Sequence, residues 1–431
     1  MLSSVSQIPR TNYNTSANFS QKVNLSLQYN FGLQPSDSIT LSKKEFNANE
    51  QKQYNNILKK LPPQNAKEFQ NLKNYGILLN NKSNDKTTTL ENLYKIYTTP
   101  RAQGLENLEI LKETIHHLNN PYSISQKSDN SIKNYLETVF RPVSPVLEKD
   151  TSSTCTAACI EFDLANQEPA EFTRFVEGLT SPKLQVEKTI NLNNLADQTL
   201  DAIWLLNTFD TPKEETHFNK IKLTFKPDEM VLNKVMLNKK LPPNIIQRNT
   251  IDTILQSTFM NIGSQQSYNS LTDRRNGKFN ITERGLIEFE KTYTESVVRN
   301  KNIISVNYQK INEFGEITGY ETDFNTIKHQ LLDTLALKQN IIIGVVNRSW
   351  AGKLKGHEIV LTGARTHSNG KTDFICFNSD IEKTHPVIYS EDYLLPRIHH
   401  AGLPKEIVLK NMEFKDGWVF GLENYKQLKN N

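Results

Sequence analysis

The sequence is short of cysteine, of apolar residues and of net charge, and each shortage argues against a class of protein. Three cysteines among 431 residues cannot form a disulfide framework, so free thiols and a reducing environment are expected. The 51 basic and 47 acidic residues leave a formal net charge of +4, without a dense Lys/Arg tract. Nucleic acid is therefore not expected as the main partner.

Long hydrophobic runs and targeting signals are also missing from the sequence. The longest apolar stretch runs only from Ile341 to Val346, which is far too short to cross a bilayer. The N-terminus has no basic start followed by an apolar segment, so no secretory signal peptide is predicted. We expect a soluble protein without a membrane span, either cytoplasmic or exported by a route that needs no signal peptide.

Composition divides the chain into three parts. Residues 1–48 are rich in Asn, Ser, Gln and Thr and predict a flexible tail. Residues 49–145 carry apolar side chains at helical spacing and predict a helical lead-in segment. The stretch 141–145 contains two prolines and predicts the boundary to a larger domain at 146–431.

The larger domain has helical patterns first and strand patterns later. The predicted helices are 154–165, 169–178, 190–208, 250–261, 283–299 and 324–337. The predicted strands are 303–311, 316–322, 341–346, 358–365 and 372–378. Helices followed by a mostly antiparallel sheet predict an α+β fold.

The first candidate for chemistry is a thiol that follows a run of Ser and Thr at 151–154. These hydroxyls are expected to cap a helix, which places Cys155 in its first turn. There the helix dipole and unpaired backbone N–H groups lower the pKa of a thiol and favour the thiolate. The alternative is that Cys155 and Cys159, which share one helical face, are both small core residues. A core position is what we expect of Cys159, one turn deeper.

The second candidate is His357, which opens an apolar strand pattern. The chain turns through 368–370 and returns as 372–378, so residues equally distant from the turn become neighbours. His357 should therefore meet Asn378 or Asp380. A carboxamide or carboxylate beside an imidazole can fix the tautomer and the orientation of the ring. The alternative is a surface hairpin with a solvated histidine.

This arrangement resembles the papain-like cysteine peptidase clan: a cysteine at a helix N-terminus, Gly-His before an apolar strand, and Asn or Asp after the next strand. The stretch GHEIVLTGA at 356–364 is most similar to the bacterial branches of the clan, such as leader-peptide peptidases and effector proteases. The resemblance implies a papain-like catalytic domain that hydrolyses a peptide or protein substrate. Cys155 would be the nucleophile and His357 the base and acid. Asn378 would orient the histidine, and Asp380 competes for that role.

The chain also departs from the clan pattern. No glutamine stands in residues 148–154, where the clan places a side chain of the oxyanion hole. The oxyanion would then depend on the backbone N–H of Cys155 and on a nearby Ser or Thr hydroxyl, and losing one such donor typically costs about 100- to 1000-fold in rate. The interval between Cys155 and His357 is also long for the clan. Two alternatives stay open: an acyltransferase or transglutaminase-like enzyme with the same triad, and a catalytically inactive binding module.

No cofactor or metal ion is expected. The residues of a conceivable zinc set are Cys155, Cys159, His357 and Cys376. A Cys-x₃-Cys pair inside an apolar helical face is, however, a poor pattern for structural zinc. The pairs His116–His117 and His399–His400 are expected at the surface, because adjacent side chains point in different directions and form no chelate.

Overall fold

The structure is a computed structural model of the 431-residue chain. The ranges that it describes are 45–126, 153–196, 199, 219–241, 247–264, 267–275, 285–286, 288–312, 316–348, 354–380 and 385–410. The predicted tail lies outside these ranges apart from its last residues, and so does the predicted boundary at 141–145.

Helices and strands occupy the described residues in the following order. The helices are α1 (Ala48–Leu58), α2 (Pro63–Asn74), α3 (Thr89–Thr98), α4 (Asn107–Asn119), α5 (Cys155–Gln167), α6 (Pro169–Leu179), α7 (Val231–Lys240), α8 (Thr250–Gly263), α9 (Glu288–Arg299), α10 (Phe324–Ala336), α11 (Glu391–Leu394) and α12 (Lys405–Lys410). The strands are β1 (Val186–Asn191), β2 (Lys220–Phe225), β3 (Tyr268–Asn269), β4 (Arg274–Arg275), β5 (Ile303–Asn307), β6 (Gln309–Ile311), β7 (Ile317–Tyr320), β8 (Ile341–Arg348), β9 (Leu354–Thr366), β10 (Thr372–Phe377), β11 (Val387–Ser390) and β12 (Ile398–Pro404). None of the helices in this part of the chain combines the length and the apolar character needed to cross a membrane.

A six-stranded antiparallel sheet dominates the later part of the chain, with the strand order β11-β10-β9-β8-β12-β5. Strands β9 and β10 form the predicted hairpin around 368–370, with Thr366 opposite Thr372 and Val360 opposite Phe377. Helices α1 to α9 precede the first strand of this sheet, and antiparallel pairing joins its strands. The predicted α+β class is therefore confirmed.

The sheet separates two hydrophobic cores. Ile342, Val360 and Phe377 belong to the core that is shared with helices α1 to α9. Ile359 and Phe374 belong to the core on the opposite face, which includes apolar residues of α10 and α12. Neighbouring residues fall into different cores because successive side chains of a strand point to opposite faces. The lead-in helices α1 to α4 thus pack into the same core as α5.

The predicted helix at 190–208 is wrong at its start. Val186–Asn191 instead forms strand β1, which pairs antiparallel with β2 along its whole length. Buried and exposed residues alternate along β1, and β-branched side chains favour that extended geometry. Leu192–Asn194 follows as a short 3₁₀ helix, and most of the remaining predicted helix lies outside the described residues.

Two of the histidine expectations are also wrong. The pair His399–His400 is buried in β12, between β8 and β5. Gly344 on β8 makes room for the imidazole, because a Cβ there would collide with Cε1 of His400. His117 is buried as well, whereas His116 stays partly exposed as expected. The expectation that adjacent side chains point apart also fails for His399 and His400, because their Nδ1 atoms lie 3.0 Å from each other.

Three aromatic rings join α5 to the β9–β10 hairpin. Phe162 of α5 stacks on Phe377 of β10, with ring centroids 4.2 Å apart. Tyr122, from the end of the lead-in segment, meets the edge of Phe162 at 5.1 Å. Its hydroxyl lies 3.0 Å from Oγ1 of Thr362 on β9. This aromatic cluster of Tyr122, Phe162 and Phe377 therefore connects three distant parts of the sequence.

We expect Phe162→Ala to lower the free energy of unfolding by about 3–5 kcal/mol, because a fully buried ring is replaced by a cavity. Phe324→Ala is the matched control, since that ring is 38% exposed. It should cost less than about 1.5 kcal/mol. Urea unfolding of the two variants and the wild type, followed by circular dichroism, measures the difference. Equal losses in both variants would contradict the central place given to the aromatic cluster.

Candidate active site

Cys155 is the first residue of α5, as the sequence predicts, but the expected hydroxyl cap is absent. Thr154 occupies the N-cap position without a side-chain capping bond. Its hydroxyl instead donates to Oε1 of Gln256 on α8 at 2.8 Å. The Ser153 hydroxyl donates to the carbonyl oxygen of Asp273 at 2.8 Å. The Ser/Thr run thus anchors the start of the helix to its neighbours and leaves the half-buried thiol at the positive end of the helix dipole.

His357 lies on β9 and contacts the chain just after β10. Its Nε2 atom is 2.8 Å from Oδ1 of Asn378. The backbone N–H of Asp380 donates to the same Oδ1 atom at 3.0 Å, and Nδ2 of Asn378 donates to the Tyr389 hydroxyl at 3.0 Å. These contacts fix the orientation of the carboxamide, so its oxygen faces the imidazole. Nε2 must therefore carry a proton, and Nδ1 is the nitrogen left for another partner.

The partner of the imidazole is Cys155, whose side chain is hydrogen-bonded to His357. Burial of the ring lowers its pKa, but the hydrogen bond to Cys155 and the negative charge on that sulfur oppose burial. With smaller contributions from the Asp380 carboxylate and the Asn378 hydrogen bond, they raise the pKa of His357 to about 9. At neutral pH the ring is then a cation, which is the neighbour that stabilises a thiolate.

Asp380 is the carboxylate neighbour of the His357 ring. Its Oδ2 atom is 3.6 Å from Nδ1 of His357, and its side chain is 29% exposed. Asp380 lies in the turn after β10, where the sequence predicts it. Its other carboxylate oxygen accepts a hydrogen bond from Nε2 of Gln126, a buried residue at the end of the described lead-in segment. The structure thus brings together all four predicted residues: Cys155, His357, Asn378 and Asp380.

Two residues of the site were missed from the sequence, Gln126 and Tyr389. Gln126 precedes the predicted domain boundary, so no local pattern connects it with the hairpin. Tyr389 lies on β11, which pairs with β10 but is too short to give a clear alternating pattern. Both residues reach the site through tertiary contacts only.

The other two cysteines lie in the hydrophobic cores. Cys159 and Cys376 are fully buried, and burial raises the pKa of each thiol well above its usual range. They belong to opposite faces of the sheet, so the conceivable zinc set does not assemble. Among the described residues, the one group of three close ligand atoms belongs to His117, Glu161 and Asp252.

Comparison with known proteins gives no relative to name. No family model matches the chain, and no curated protein or solved structure is significantly similar to it. The likeness to the papain-like clan therefore rests on the residues and geometry of this site.

We expect iodoacetamide at pH 6 to modify Cys155 well before Cys159 or Cys376. Cys155 is half-buried beside a protonated imidazole, whereas the other two thiols are fully buried. Mass spectrometry of proteolytic peptides, taken over a time course under native conditions, measures the three rates. Equal slow labelling of all three cysteines would remove the main argument for an activated thiol.

A second prediction concerns the charge of His357. An NMR titration of its ring should show a midpoint near pH 9 rather than 6.5. A raised pKa means that protonation favours the folded state. The resulting stabilisation is complete below pH 6.5 and is lost as the pH rises to about 9.

Variants separate the causes of this shift. Cys155→Ala should lower the midpoint most, because it removes the two largest favourable effects while burial remains. Asp380→Asn should lower it by a smaller amount, since only the more distant charge is lost. A midpoint that stays near 9 in Cys155→Ala would show that the thiol is not the partner of the ring.

Proposed function

We propose that this chain is a papain-like cysteine peptidase, which hydrolyses peptide bonds through Cys155, His357 and Asn378. One observation carries the proposal: a thiol at a helix N-terminus is hydrogen-bonded to an imidazole whose other nitrogen is held by a carboxamide. The nucleophile, the proton carrier and the residue that orients it thus stand next to one another in the order that the reaction requires.

In the proposed reaction, the Cys155 sulfur attacks the carbonyl carbon of the scissile bond. The imidazolium of His357 donates its Nδ1 proton to the leaving amine, which departs and leaves a thioester on Cys155. The neutral ring then takes a proton from water, and the resulting hydroxide attacks the thioester. Collapse of this second intermediate releases the acid, and the proton on His357 restores the starting ion pair.

Asn378 acts by holding the ring. Its oxygen accepts the Nε2 proton of His357, while Tyr389 and the Asp380 backbone hold the amide itself. Nδ1 therefore stays directed toward the sulfur during both proton transfers. Asp380 acts mainly by charge, because its carboxylate is 3.6 Å from Nδ1 and is tied to Gln126.

The negative oxygen of the tetrahedral intermediate needs donors close to Cys155. The backbone N–H of Cys155, at the start of α5, is the donor that the proposal uses. Gln126, a glutamine beside the site, already donates to Asp380. This chain thus departs from the usual oxyanion arrangement of the clan. We therefore expect it to cleave peptides more slowly than a clan member that has the glutamine donor.

The same triad could transfer the acyl group to an amine instead of water, as in an acyltransferase or a transglutaminase-like enzyme. Hydrolysis is proposed because the resemblance is to peptidases, and because a half-buried thiol remains accessible to water. An inactive binding module is disfavoured by the charged histidine beside Cys155. A cysteine that only fills space in a core needs no charged imidazole beside it.

Activity is tested by incubating the full chain with a diverse peptide mixture and identifying new termini by mass spectrometry. Cys155→Ala and His357→Ala should each lower the cleavage rate by about 10⁴-fold or more. Asn378→Ala should lower it by about 10- to 1000-fold, and Asp380→Ala by less than about tenfold. The reason for the last difference is that only Asn378 holds the ring directly.

Cys159→Ala is the control, because it removes a thiol from the same helix one turn away from the site. It should cleave at nearly the wild-type rate. A supply of free amines in the reaction distinguishes hydrolysis from transfer, since a transferase would yield amide products. Unchanged cleavage in Cys155→Ala would refute the proposal, and a large loss only in Asp380→Ala would exchange the roles of the two orienting residues.

A further inference from the structure

A second cluster of chemically active side chains lies within the helical core, apart from the candidate triad. His117 comes from α4, Glu161 from α5 and Asp252 from α8, and all three are buried. One ligand atom from each lies within 4.8 Å of the other two. Two atoms bound to one ion at about 2.0–2.2 Å are separated by at most roughly 4.4 Å, so small rotations bring all three to a common centre.

The carboxylates of this cluster are incompletely satisfied. Oδ1 of Asp252 and Oε1 of Glu161 are fully buried and accept no hydrogen bond of normal geometry from the described residues, although Oδ1 of Asp252 faces the imidazole of His117. The other oxygens of the same carboxylates are satisfied, by the Ser125 backbone N–H at 3.1 Å and by Nε2 of Gln256 at 3.0 Å. An unsatisfied buried carboxylate oxygen is costly, so something positive is required between these two atoms.

The histidine presents a nitrogen toward the same place. The Ser123 hydroxyl donates to the Asn120 carbonyl at 2.7 Å, so it accepts a hydrogen bond from Nδ1 of His117 at 2.9 Å. This contact places a proton on Nδ1 and leaves Nε2 with a lone pair. Nε2 lies 2.9 Å from Oδ1 of Asp252 and 2.8 Å from Nδ2 of Asn249. A hydrogen bond on one ring nitrogen is what orients the other toward a metal ion.

The charged side chains nearby already have partners. Arg248, whose charge acts on Glu161, is ion-paired with Asp273. Glu113, another carboxyl close to the cluster, accepts from the backbone N–H groups of Thr250 and Ile251. Two buried carboxyl groups and one imidazole thus face each other, an arrangement that either a divalent cation or a shared proton holds together.

We propose that His117, Glu161 and Asp252 bind a divalent metal ion, zinc by the chemistry of the set. An imidazole nitrogen with two carboxylate oxygens suits zinc, whereas calcium and magnesium prefer oxygen ligands alone. The ion replaces the Asn249 amide as the partner of Nε2 of His117. It also binds Oδ1 of Asp252 and Oε1 of Glu161. It joins three helices distant in sequence and fixes α5, the helix that begins with Cys155.

The first experiment measures bound metal directly. The full chain, prepared without a histidine tag, is stripped with a chelator and supplied with one equivalent of Zn²⁺. We expect about one zinc per chain by mass spectrometry of the metal, and a melting temperature at least about 3 °C above that of the stripped protein. Anomalous diffraction at the zinc edge should place the ion among the three side chains.

Glu161→Gln distinguishes a metal ion from a shared proton. The glutamine can still accept from Gln256, and its amide can donate to Oδ1 of Asp252, as a protonated carboxyl would. If zinc binds here, the variant loses at least about nine-tenths of the metal and the response to the chelator. Glu113→Gln is the matched control, a neighbouring carboxyl outside the set, and should keep both.

Three outcomes overturn the proposal: no zinc retained by the wild type, equal zinc content in Glu161→Gln, or an anomalous peak elsewhere. If Glu161→Gln does not fold, the position of the anomalous peak in the wild type decides alone. None of these measurements uses peptide cleavage, so the metal site and the proposed peptidase function stand or fall separately.

Discussion

The stacking of Phe162 on Phe377 is the contact on which the geometry of the triad depends. Phe162 lies two turns after Cys155 on the same face of α5, and Phe377 directly precedes Asn378. The two rings therefore set the distance between the helix that carries the thiol and the hairpin that carries the imidazole and its carboxamide. Close packing makes this distance hard to change, because interiors have few voids and side chains occupy well-defined rotamers. A shift of even about 1 Å would matter for the proposed reaction, because the Nδ1 proton must reach the amine that leaves the carbon attacked by the sulfur.

Polar contacts hold the beginning of α5 in the same rigid frame. Thr154 and Ser153 donate to residues of neighbouring segments rather than to the first turn, so the helix start is fixed by its surroundings. Buried polar groups are costly unless they are paired, and these pairs exist only when the helices are correctly docked. These contacts between protein groups organise the site, which is what the proposed reaction requires because it relies on positioning. The proposed zinc ion would add a further tie to α5 through Glu161, two residues after Cys159.

Much of the site could be predicted from local patterns. The Ser/Thr run and the apolar face after it predicted a helix beginning at Cys155, and the 368–370 turn predicted that His357 would meet Asn378 and Asp380. These inferences succeeded because a helix start and a tight hairpin are decided by residues close in sequence. The details of the cap could not be predicted. Thr154 had the correct residue type, but Gln256, a distant residue, offered its hydroxyl a different acceptor.

The sequence by itself determined the α+β class, the order of most helices and strands, and the meeting of His357 with Asn378 and Asp380, because periodicity and turn chemistry act over short stretches. Only the tertiary structure decided what lies beside them. It placed Gln126 on the Asp380 carboxylate, buried His399–His400 next to Gly344, and extended β1 over the first two residues of a predicted helix. The physical reason is that burial and pairing with a distant partner outweigh local conformational preference. A single sequence does not reveal which distant residue becomes that partner.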